Sequence, residues 1–443
     1  MPFRSVSPPR VYVHTLGCPK NEADSRAVIR SLVAAGAGVV ADPEDATHIV
    51  LNTCGFIREA KEESIGAILD ACVTYGGQQV MVMGCLVERY RDALEKDIPE
   101  VAGWFGLANV AGLGEAVVGP PASPATVVTL GSPATIGSPG ATHAYLKISD
   151  GCNGPCTFCA IPAIKGEYHS ATTAQVLQDA DECLAEGARE LVLVGQDTAI
   201  WECDGLRLAG LIDLLAADER VRRVRVMYLQ PDHVTDSFLL YMASQPKLCR
   251  YLDVPFQHAH PEILRRMGRR GEGTAYLELL ARARRLVSGV SVRSTFIVGF
   301  PGETDEEFER LLAFVDKAGF DYAGGFVYSP EEGTSAAAFR PRVRLPVARD
   351  RLNRLSAVLA ARAENEHQRL VGSRVAVMID SVDPEEAGEG IMAVGRTAGQ
   401  APEVDGVTYV EGDLPEGTEP GDVVTMTVSA AVGYDLVGMC DAT

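Results

Sequence analysis

The sequence predicts an α/β protein of several domains, with an N-terminal doubly wound parallel sheet, a central full or partial βα (TIM-like) barrel and a small C-terminal β-barrel. Three observations support this prediction. Apolar, β-branched runs alternate with helical patterns over the first hundred or so residues and again over about 142–340. A stretch rich in Pro, Ser, Ala and Gly separates the two regions. From about residue 373 the helical period is absent and short strand patterns are separated by Gly, Pro and Asp.

The first predicted domain covers residues 1–118. Its strand patterns are RVYVHTL, THIVLNT and QVMVMG, and the helical patterns between them are SRAVIRSLVAAG and REAKEESIGAILDACV. A strand–helix–strand order of this kind is typical of a parallel sheet with helices on both faces. Residues 119–141 carry almost no charge, and we interpret them as a linker or an extended strap.

The second predicted domain covers residues 142–370 and the third covers 371–443. The second has six strand patterns, AYLKIS, ELVLVG, RVRVMYL, YLDVPF, VRSTFIVGF and GGFVYS, and it ends in a long amphipathic helix at about 347–369. Six strand–helix steps favour a full or partial βα barrel. The strand patterns of the third domain are SRVAVMID, GVTYV and DVVTMTVSAA.

The composition is ordinary for a soluble globular protein. Of 443 residues, 47% are apolar and 23% are charged. No run approaches the roughly 18–20 apolar residues of a membrane helix, and MPFRSVSPPRVYVHTLG lacks the apolar core of a secretion signal. We therefore expect a cytoplasmic protein with no membrane partner. In a reducing compartment, 11 cysteines favour metal binding or catalysis over disulfides.

The strongest local pattern is Cys152-Asn-Gly-Pro-Cys156-Thr-Phe-Cys159, directly after the first strand of the predicted barrel. Three thiolates on one loop can hold three irons of a [4Fe–4S] cluster and leave the fourth iron open for a ligand. A structural zinc ion would need a fourth Cys or His nearby, for which His169 is the candidate. Because βα barrels carry their chemistry at strand ends, the pattern favours a cluster.

A second set of cysteines is dispersed along the first domain. Cys18, Cys54 and Cys85 each follow one of its three strand patterns. If these strands are parallel neighbours, the three thiols emerge at one carboxyl edge, where open α/β sheets bind ligands. Considered singly, each cysteine could equally be a small buried residue. The remaining five are interpreted as structural: Cys72, Cys183, Cys203, Cys249 and Cys440.

The C-terminal domain is strongly acidic. From Ser373 to Thr443 there are two basic residues, Arg374 and Arg396, against 14 acidic ones, and the whole chain has a formal charge of −20. A barrel that grips RNA would show a basic face with exposed aromatic residues. This domain would instead repel phosphates and attract a basic protein. A solvated acidic surface with no partner is the alternative.

Taken together, these features resemble the radical S-adenosylmethionine (SAM) methylthiotransferases over nearly the whole chain, including a terminal TRAM-like barrel. Within that family, the segments that resemble the ribosomal-protein branch are TLGCPKNEADS, YLQPDH, VPFQHAHPEILRRMGR, TFIVGFPGETDEEF, VYSPEEGT and GRTAGQAPEVDG. The transfer-RNA branch usually has GCQMN where this chain has Gly17-Cys18-Pro19-Lys20-Asn21. Three positions depart from the family pattern: Pro155 stands where a basic residue is common, and Lys165 and Ala171 stand where arginine is frequent.

The resemblance implies methylthiolation of the β-carbon of an aspartate in the small-subunit ribosomal protein S-twelve. It implies two [4Fe–4S] clusters: one, in the barrel, binds SAM and generates a 5′-deoxyadenosyl radical, and the other, N-terminal, holds the sulfur. No side-chain acid or base is required, and we nominate no catalytic residue. The candidate SAM contacts are polar or glycine residues assigned to barrel strand ends: Gly195, Gln196, Asp197, Gln257, Arg293 and Gly299, with His258 and Gly302 as weaker candidates.

Several further expectations concern partners. The acidic barrel would bind the basic ribosomal protein, and Asp232 and His233 would face the substrate. An electron donor such as flavodoxin or ferredoxin is expected, and we assume a monomer. Transfer RNA is an unlikely partner, although methylthiolation of a transfer-RNA adenosine or of another peptide is the alternative function. An iron–sulfur scaffold or electron carrier without catalysis is the rival of a different class.

Overall fold

The structure is a computed structural model that describes residues 8–76, 79–107, 109–119, 141–382, 388 and 390–441. The chain divides into two compact units, residues 1–139 with 160–168, and residues 140–159 with 169–443. The predicted linker at 119–141 lies, except for its two end residues, outside the described residues. Within the described chain, no helix combines the length and the apolar character needed to cross a lipid bilayer.

Unit 1 consists of a five-stranded parallel sheet with helices on both faces. Its elements are β1 (Arg10–Thr15), α1 (Pro19–Ala35), β2 (Gly38–Val39), β3 (His48–Thr53), α2 (Arg58–Thr74), β4 (Gln79–Gly84), α3 (Cys85–Asp97), β5 (Gly103–Phe105), α4 (Val110–Val118) and α5 (Ile161–Lys165). The strand order is β2-β1-β3-β4-β5. The predicted doubly wound sheet is therefore confirmed, and the strand order reverses between β1 and β3.

Alternation along the buried strands explains the two helix layers of unit 1. In β3, Ile49 and Leu51 face a core shared with α2 and α3, whereas Val50 faces a second core with α1 and α4. Strands buried on both faces are apolar throughout, which is why β3 and β4 read as continuous apolar runs. Helix α1 begins at Pro19, six residues before the predicted pattern, because proline is favoured in the first turn of a helix.

Unit 2 begins with six parallel strands in two adjoining three-stranded sheets, β12-β9-β6 and β13-β14-β15. This is a partial barrel, one of the two predicted forms. Its elements are β6 (His143–Lys147), β7 (Ser149–Asp150), β8 (His169–Ser170), α6 (Thr173–Ala185), β9 (Glu190–Val194), β10 (Glu202–Cys203), β11 (Leu206–Arg207), α7 (Leu208–Ala216), β12 (Arg223–Val226), α8 (Asp236–Ser244), β13 (Tyr251–Asp253), α9 (Pro261–Arg266), α10 (Gly273–Leu286), β14 (Ser291–Val298), α11 (Asp305–Ala318), β15 (Tyr322–Val327) and α12 (Leu345–Gln368).

The C-terminal segment of unit 2 is a closed five-stranded barrel, as predicted. Its strands are β16 (Arg374–Val382), β17 (Ile391–Thr397), β18 (Thr408–Glu411), β19 (Val423–Val432) and β20 (Asp435–Cys440), in the order β16-β17-β18-β20-β19. Strands β17 and β20 were not among the predicted patterns. The pairing of β17 with each of its two neighbours contains a register shift, and so does the pairing of β20 with β19. A register shift interrupts the alternation of inward and outward side chains by which a strand is predicted.

The loop between β17 and β18 lies across the amino-terminal part of the partial barrel. The Tyr145 hydroxyl donates to the Pro402 carbonyl at 2.9 Å, and the Arg225 guanidinium donates to Ala398 O at 2.9 Å. The Tyr251 hydroxyl donates to a carboxylate oxygen of the same loop at 2.6 Å. These contacts join the closed barrel to β6, β12 and β13, so the amino ends of these strands are covered and their carboxyl ends are left for chemistry.

Candidate functional site

Three thiols of unit 1 lie at the carboxyl edge of adjacent parallel strands. Cys18 precedes the first residue of α1, Cys54 directly follows β3, and Cys85 is the first residue of α3. Strands β1, β3 and β4 are neighbours in the sheet. Cys18 and Cys54 flank the point at which the strand order reverses, the usual ligand position in such sheets. The structure thus brings together the three cysteines that the sequence pattern grouped.

Close packing fixes the loops that carry these thiols. Gly17 has φ +98°, and a Cβ at this position would lie 2.6 Å from the Cys54 Cβ, so the approach requires glycine. Asn21 Nδ2 donates to Leu16 O at 2.8 Å and, more weakly, to Thr53 O at 3.3 Å. The Asn21 side chain therefore ties the loop after β1 to the end of β3. Sequence reasoning used Asn21 only as a family marker and did not predict this role.

A serine of α2 holds the backbone of the second thiol. Ser64 is fully buried, and its hydroxyl both accepts from Cys54 N and donates to Cys54 O, at 3.0 Å in each case. A side chain that satisfies both backbone groups of one residue fixes that residue locally. The sequence analysis did not predict this role of Ser64.

The segment that follows the barrel cysteines in sequence contributes to unit 1. Helix α5 packs on α3, and Ile164 contacts Cys85 in a small apolar cluster. Lys165 has 3% of its side chain exposed and pairs with Asp24 of α1, Nζ to Oδ2, at 2.7 Å. Lys165, which departs from the family pattern, is therefore a buried cation close to the three-thiol edge.

Burial governs the acidity of these thiols. It raises the pKa of Cys85 to about 12, with smaller contributions from Cys54 and Cys18, while the Lys165 ammonium opposes the rise. Burial likewise raises the pKa of Cys54, where a backbone N–H opposes the effect. Buried thiols that remain protonated at neutral pH become good ligands once a metal displaces the proton.

The Cys152–Cys159 loop of unit 2 lies at the end of the first barrel strand. Gly154 N–H donates to Cys152 Sγ at 3.3 Å, the kind of contact that stabilises a thiolate. Thr157 anchors the loop, because its N–H donates to Met267 O and its carbonyl accepts from Ala336 N. The fixed thiols are half-buried, and the pKa of Cys152 is raised by burial and by the neighbouring Cys156 thiol.

The donor chemistry of both sets fits an iron–sulfur cluster. None of the six cysteines is in a disulfide bond, and each set supplies three sulfur ligands from the end of a strand. In the part of the chain that the structure describes, no three His, Cys, Asp or Glu side chains already stand in a metal-binding arrangement.

Unpaired polar atoms mark the carboxyl ends of β6 and β9. Ser149 Oγ, Gln196 Nε2 and Asp197 Oδ1 are buried without a hydrogen-bond partner in the described residues. A buried polar atom without a hydrogen bond destabilises the folded state unless a ligand or a water molecule supplies the partner. A Cβ at Gly195 would lie 2.3 Å from Ser149 Oγ, so a larger residue there would displace the Ser149 hydroxyl. Three of the six predicted SAM contacts, Gly195, Gln196 and Asp197, therefore lie together in a polar recess.

A histidine from the next strand end completes this recess. His233, in a short turn after β12, lies with Nδ1 2.6 Å from Asp197 Oδ2 and is 43% exposed. Burial raises the pKa of Asp197, and the pairing with His233 opposes the rise. The predicted candidate His233 thus joins Asp197 at the carboxyl edge.

Two further predicted contacts, Gln257 and Gly299, lie near the carboxyl end of β14. Gln257 adopts φ +68° and pairs with Thr295 and Ile297 through its backbone. Gly299 has φ +73°, and its N–H donates to the carboxylate of Glu303, which is buried. Glu303 also accepts from Phe300 N at 3.1 Å, so it shapes the turn after β14. Sequence reasoning did not nominate Glu303.

Arg293 does not lie at that edge, and the position expected for it is wrong. It is the third of eight residues in β14, near the amino end. Its guanidinium pairs with Asp253 at 3.1 Å and with Asp405 of the C-terminal barrel at 3.4 Å. Any role of Arg293 toward SAM stays a prediction.

Three protein-family models match consecutive parts of the chain. The uncharacterised protein family UPF0004 matches residues 10–106, the radical SAM superfamily residues 146–315, and the TRAM domain residues 371–440. The radical SAM match supports an iron–sulfur cluster and SAM as cofactors. It includes the Cys152–Cys159 loop and the polar recess.

Several relatives match over nearly the full length. The ribosomal protein uS12 methylthiotransferase RimO of Anaeromyxobacter sp. (strain Fw109-5) is 40% identical, over 97% of this chain and 92% of its own. Its counterpart from Thermotoga maritima is 38% identical, over 97% of this chain and 99% of its own. The one from Trichlorobacter lovleyi is 36% identical over 97% of both chains.

Solved structures support the fold alone. The radical S-adenosylmethionine methyltransferase TsrM of Kitasatospora setae, with tryptophan and a SAM analogue bound, superposes with a TM-score of 0.56 and 14% identity. That match covers 82% of this chain and 91% of TsrM. The same enzyme with cobalamin and a [4Fe–4S] cluster gives a TM-score of 0.52 at 15% identity, over 74% of each chain.

Proposed function

Since the chain belongs to the ribosomal protein uS12 methylthiotransferase family, we propose that it adds a methylthio group to the β-carbon of an aspartate side chain in ribosomal protein uS12. One observation carries the proposal. The chain presents two separate sets of three thiols, Cys18, Cys54 and Cys85 in unit 1 and the Cys152–Cys159 loop in unit 2, each at a strand end. Two incomplete ligand sets suit two [4Fe–4S] clusters, each with one open iron.

The two thiol sets have different surroundings, which supports two tasks. Next to the Cys152–Cys159 loop, Gln196 and Asp197 offer buried, unpaired polar atoms to the polar end of SAM. A cluster with SAM bound supplies the one-electron chemistry that breaks an unactivated C–H bond. The unit 1 thiols instead adjoin the buried Lys165–Asp24 ion pair, in which the ammonium lowers and the carboxylate raises the pKa of Cys85.

The charge of the C-terminal barrel supports a basic protein as substrate. Both of its arginines are neutralised within the molecule: Arg374 pairs with Asp441 at 2.6 Å, and Arg396 pairs with Asp380 at 2.8 Å. Carboxylates such as Glu416 and Glu419 are exposed. This surface would repel the phosphates of transfer RNA and attract a basic ribosomal protein. A small acidic electron carrier such as flavodoxin or ferredoxin would have to dock elsewhere.

The test is the intact mass of uS12 from cells with and without this gene. We expect one added SCH₂ unit, located on a single aspartate, to be present with the gene and absent without it. If the mass is the same in both strains, the proposed substrate is wrong, and transfer RNA is then analysed for a methylthiolated adenosine.

Complementation with cysteine variants tests the two thiol sets. Cys54→Ser and Cys152→Ser should each fail to restore the modification, because each removes one of three ligands. Cys72→Ser is the matched control, since Cys72 also forms no disulfide but lies near the end of α2 and belongs to neither set. Purified Cys54→Ser should keep reductive cleavage of SAM to 5′-deoxyadenosine, whereas Cys152→Ser should lose it. Equal behaviour of the two variants would contradict a division of tasks.

A further inference from the structure

A cavity of about 390 Å³ lies between the partial barrel and the C-terminal barrel. The residues of its lining that matter here are Arg293, Tyr322 and Gly324 from β14 and β15, and Asp405, Tyr434 and Asp435 from the C-terminal barrel. The rings of Tyr322 and Tyr434 stack with their centroids 5.9 Å apart. The lining of the cavity therefore contains both tyrosine rings and carboxylates.

One carboxylate oxygen of this cavity has no hydrogen-bond donor among the described residues. Asp405 has 1% of its side chain exposed, and its Oδ2 accepts from Tyr251 Oη and Ala401 N. Its Oδ1 is buried without a hydrogen bond, and the nearest cation is Arg293 Nε at 3.4 Å. Arg293 is itself shared with Asp253. Among the lining residues, one cation, Arg293, stands against two carboxylates, Asp405 and Asp435, so the lining has an excess of negative charge.

An accessible strip leads from the cavity toward the carboxyl edge of the barrel. Odd-numbered residues of β15 face the helices, since a Cβ on Gly325 would contact Leu355 of α12. Gly324 and Phe326 therefore share the opposite, inner face, whereas the Tyr322 ring at the start of the strand also packs against His367 of α12, with centroids 5.0 Å apart. A Cβ at Gly324 would meet no atom within 4 Å, and Phe326 is 52% exposed.

We propose that this cavity binds a basic side chain, arginine or lysine, of the substrate polypeptide, which lies along the inner face of β14 and β15. This rests on the proposed function, which places the reacting aspartate at the carboxyl edge. Carboxylates together with tyrosine faces recognise guanidinium and ammonium groups through charge-assisted hydrogen bonds and cation–π contact. The acidic, exposed C-terminal barrel agrees with a basic polypeptide.

The length of β14 sets the spacing between the basic residue of the substrate and the aspartate that is modified. From Arg293 to Val298, β14 advances five residues, which is about 16 Å at about 3.3 Å per residue. An extended polypeptide covers that distance in about five residues. The basic side chain should therefore lie about five residues from the modified aspartate.

Two variants of the full-length, cluster-reconstituted enzyme test the cavity. Asp435→Asn removes one charge but keeps an oxygen that can accept from Val407 N, as Asp435 Oδ1 does at 2.8 Å. Gly324→Val fills the cavity from a strand position with open space. Asp413→Asn, on an exposed residue of the same barrel, removes the same charge elsewhere. Iron content and thermal unfolding should match wild type in all three.

The measurement is equilibrium binding of purified uS12, and of uS12 variants in which each basic residue near the modified aspartate is replaced by glutamine. We expect Asp435→Asn to weaken binding about three- to tenfold, Gly324→Val to weaken it at least as much, and Asp413→Asn to change it less than twofold. The Asp435→Asn effect should disappear with one particular uS12 variant, as a double-mutant cycle requires for a direct pair.

The outcomes separate this proposal from the proposed function. If wild-type enzyme modifies uS12 while Asp435→Asn and Gly324→Val bind it as tightly as wild type does, the cavity proposal is overturned and the function stands. Equal effects of Asp435→Asn and Asp413→Asn, or no coupling to any basic residue of uS12, also overturn it. If wild-type enzyme neither binds nor modifies uS12, the proposed function fails, and the assignment of the cavity to this substrate fails with it.

Discussion

Replacing Glu190 by glutamine should strongly destabilise unit 2 without changing its shape. Glu190 is fully buried at the start of β9, where its carboxylate bridges two arginines. Arg225 Nε lies 2.7 Å from one oxygen, and Arg396 Nη1, from the C-terminal barrel, lies 2.9 Å from the other. Both guanidinium groups are at least 96% buried. Glutamine keeps the volume and removes the charge, so two cations remain buried without their shared counter-ion.

The magnitude follows from the burial of the group. Removing one partner of a buried ion pair typically costs about 3–5 kcal/mol, whereas an exposed pair contributes at most about 1 kcal/mol. Glu202, paired with Arg207 at 3.5 Å, is 62% exposed and supplies the matched control. We expect Glu190→Gln to lower the free energy of unfolding of unit 2 by about 3 kcal/mol or more and Glu202→Gln to leave it nearly unchanged.

Urea unfolding followed by tryptophan fluorescence measures this difference. The chain has two tryptophans, and a Trp104→Phe background leaves Trp201, which is 1% exposed within unit 2, as the reporter. The midpoint should fall by about 1 M or more, and the loss should be nearly independent of salt, because buried pairs are poorly screened. A loss below about 1 kcal/mol, or one equal to that of Glu202→Gln, would refute the reasoning.

The pH dependence gives the same prediction a second test. Burial alone would raise the pKa of Glu190, but Arg225 and Arg396 outweigh it and hold this pKa well below its ordinary range. A depressed pKa contributes stability above the unfolded value, near 4.5, and the contribution is lost as the pH falls toward the folded value. The difference between wild type and Glu190→Gln should therefore be constant from about pH 6 to 8 and shrink below about pH 4.5.

Three further predictions concern single positions. Burial raises the pKa of Asp321 to about 6, so the stability that this carboxyl group contributes when protonated is lost as the pH rises through 6. In urea unfolding, Asp321→Asn should therefore be more stable than wild type at pH 8, by up to about 3 kcal/mol. At pH 4 it should not be more stable. Gly17→Ala should reduce iron bound by unit 1, measured per chain, because its Cβ would overlap Cys54 at φ +98°. Gly195→Ala should cost about 1–3 kcal/mol by overpacking, and Ser149→Ala should relieve that cost in the double variant, measured by thermal unfolding.

The six cysteines could be predicted from the sequence because their signal is local. Each thiol of unit 1 follows a strand pattern by a residue or two, and parallel strands deliver such residues to a common edge. The barrel loop has its three thiols within eight residues. No long-range pairing had to be known in either case.

Contacts between residues far apart in sequence could not be predicted in the same way. Lys165 pairs with Asp24, 141 residues away, and Glu190 with Arg396, 206 residues away. Sequence reasoning counted Arg396 simply as one of two basic residues in an acidic domain. Composition gives the sum of charges in a segment, whereas burial and pairing depend on which distant surface the segment packs against. The misplaced Arg293 has a similar cause, since strand β14 extends five residues beyond it.

The pairing of Arg396 changes what the acidity of the C-terminal barrel means. This arginine is buried against the partial barrel, and Arg374, the other basic residue, is paired with Asp441. The side of the barrel that packs on β9 and β12 is therefore the side on which positive charge is concentrated, and it is neutralised by Glu190 and Asp380. The remaining carboxylates have no cation of their own barrel to offset them. Exposed carboxylates such as Glu416 and Glu419 direct their field outward, whereas Asp405 is buried against Arg293 within unit 2. The acidity that a partner meets is therefore set by the exposed carboxylates and not by the composition of the whole segment.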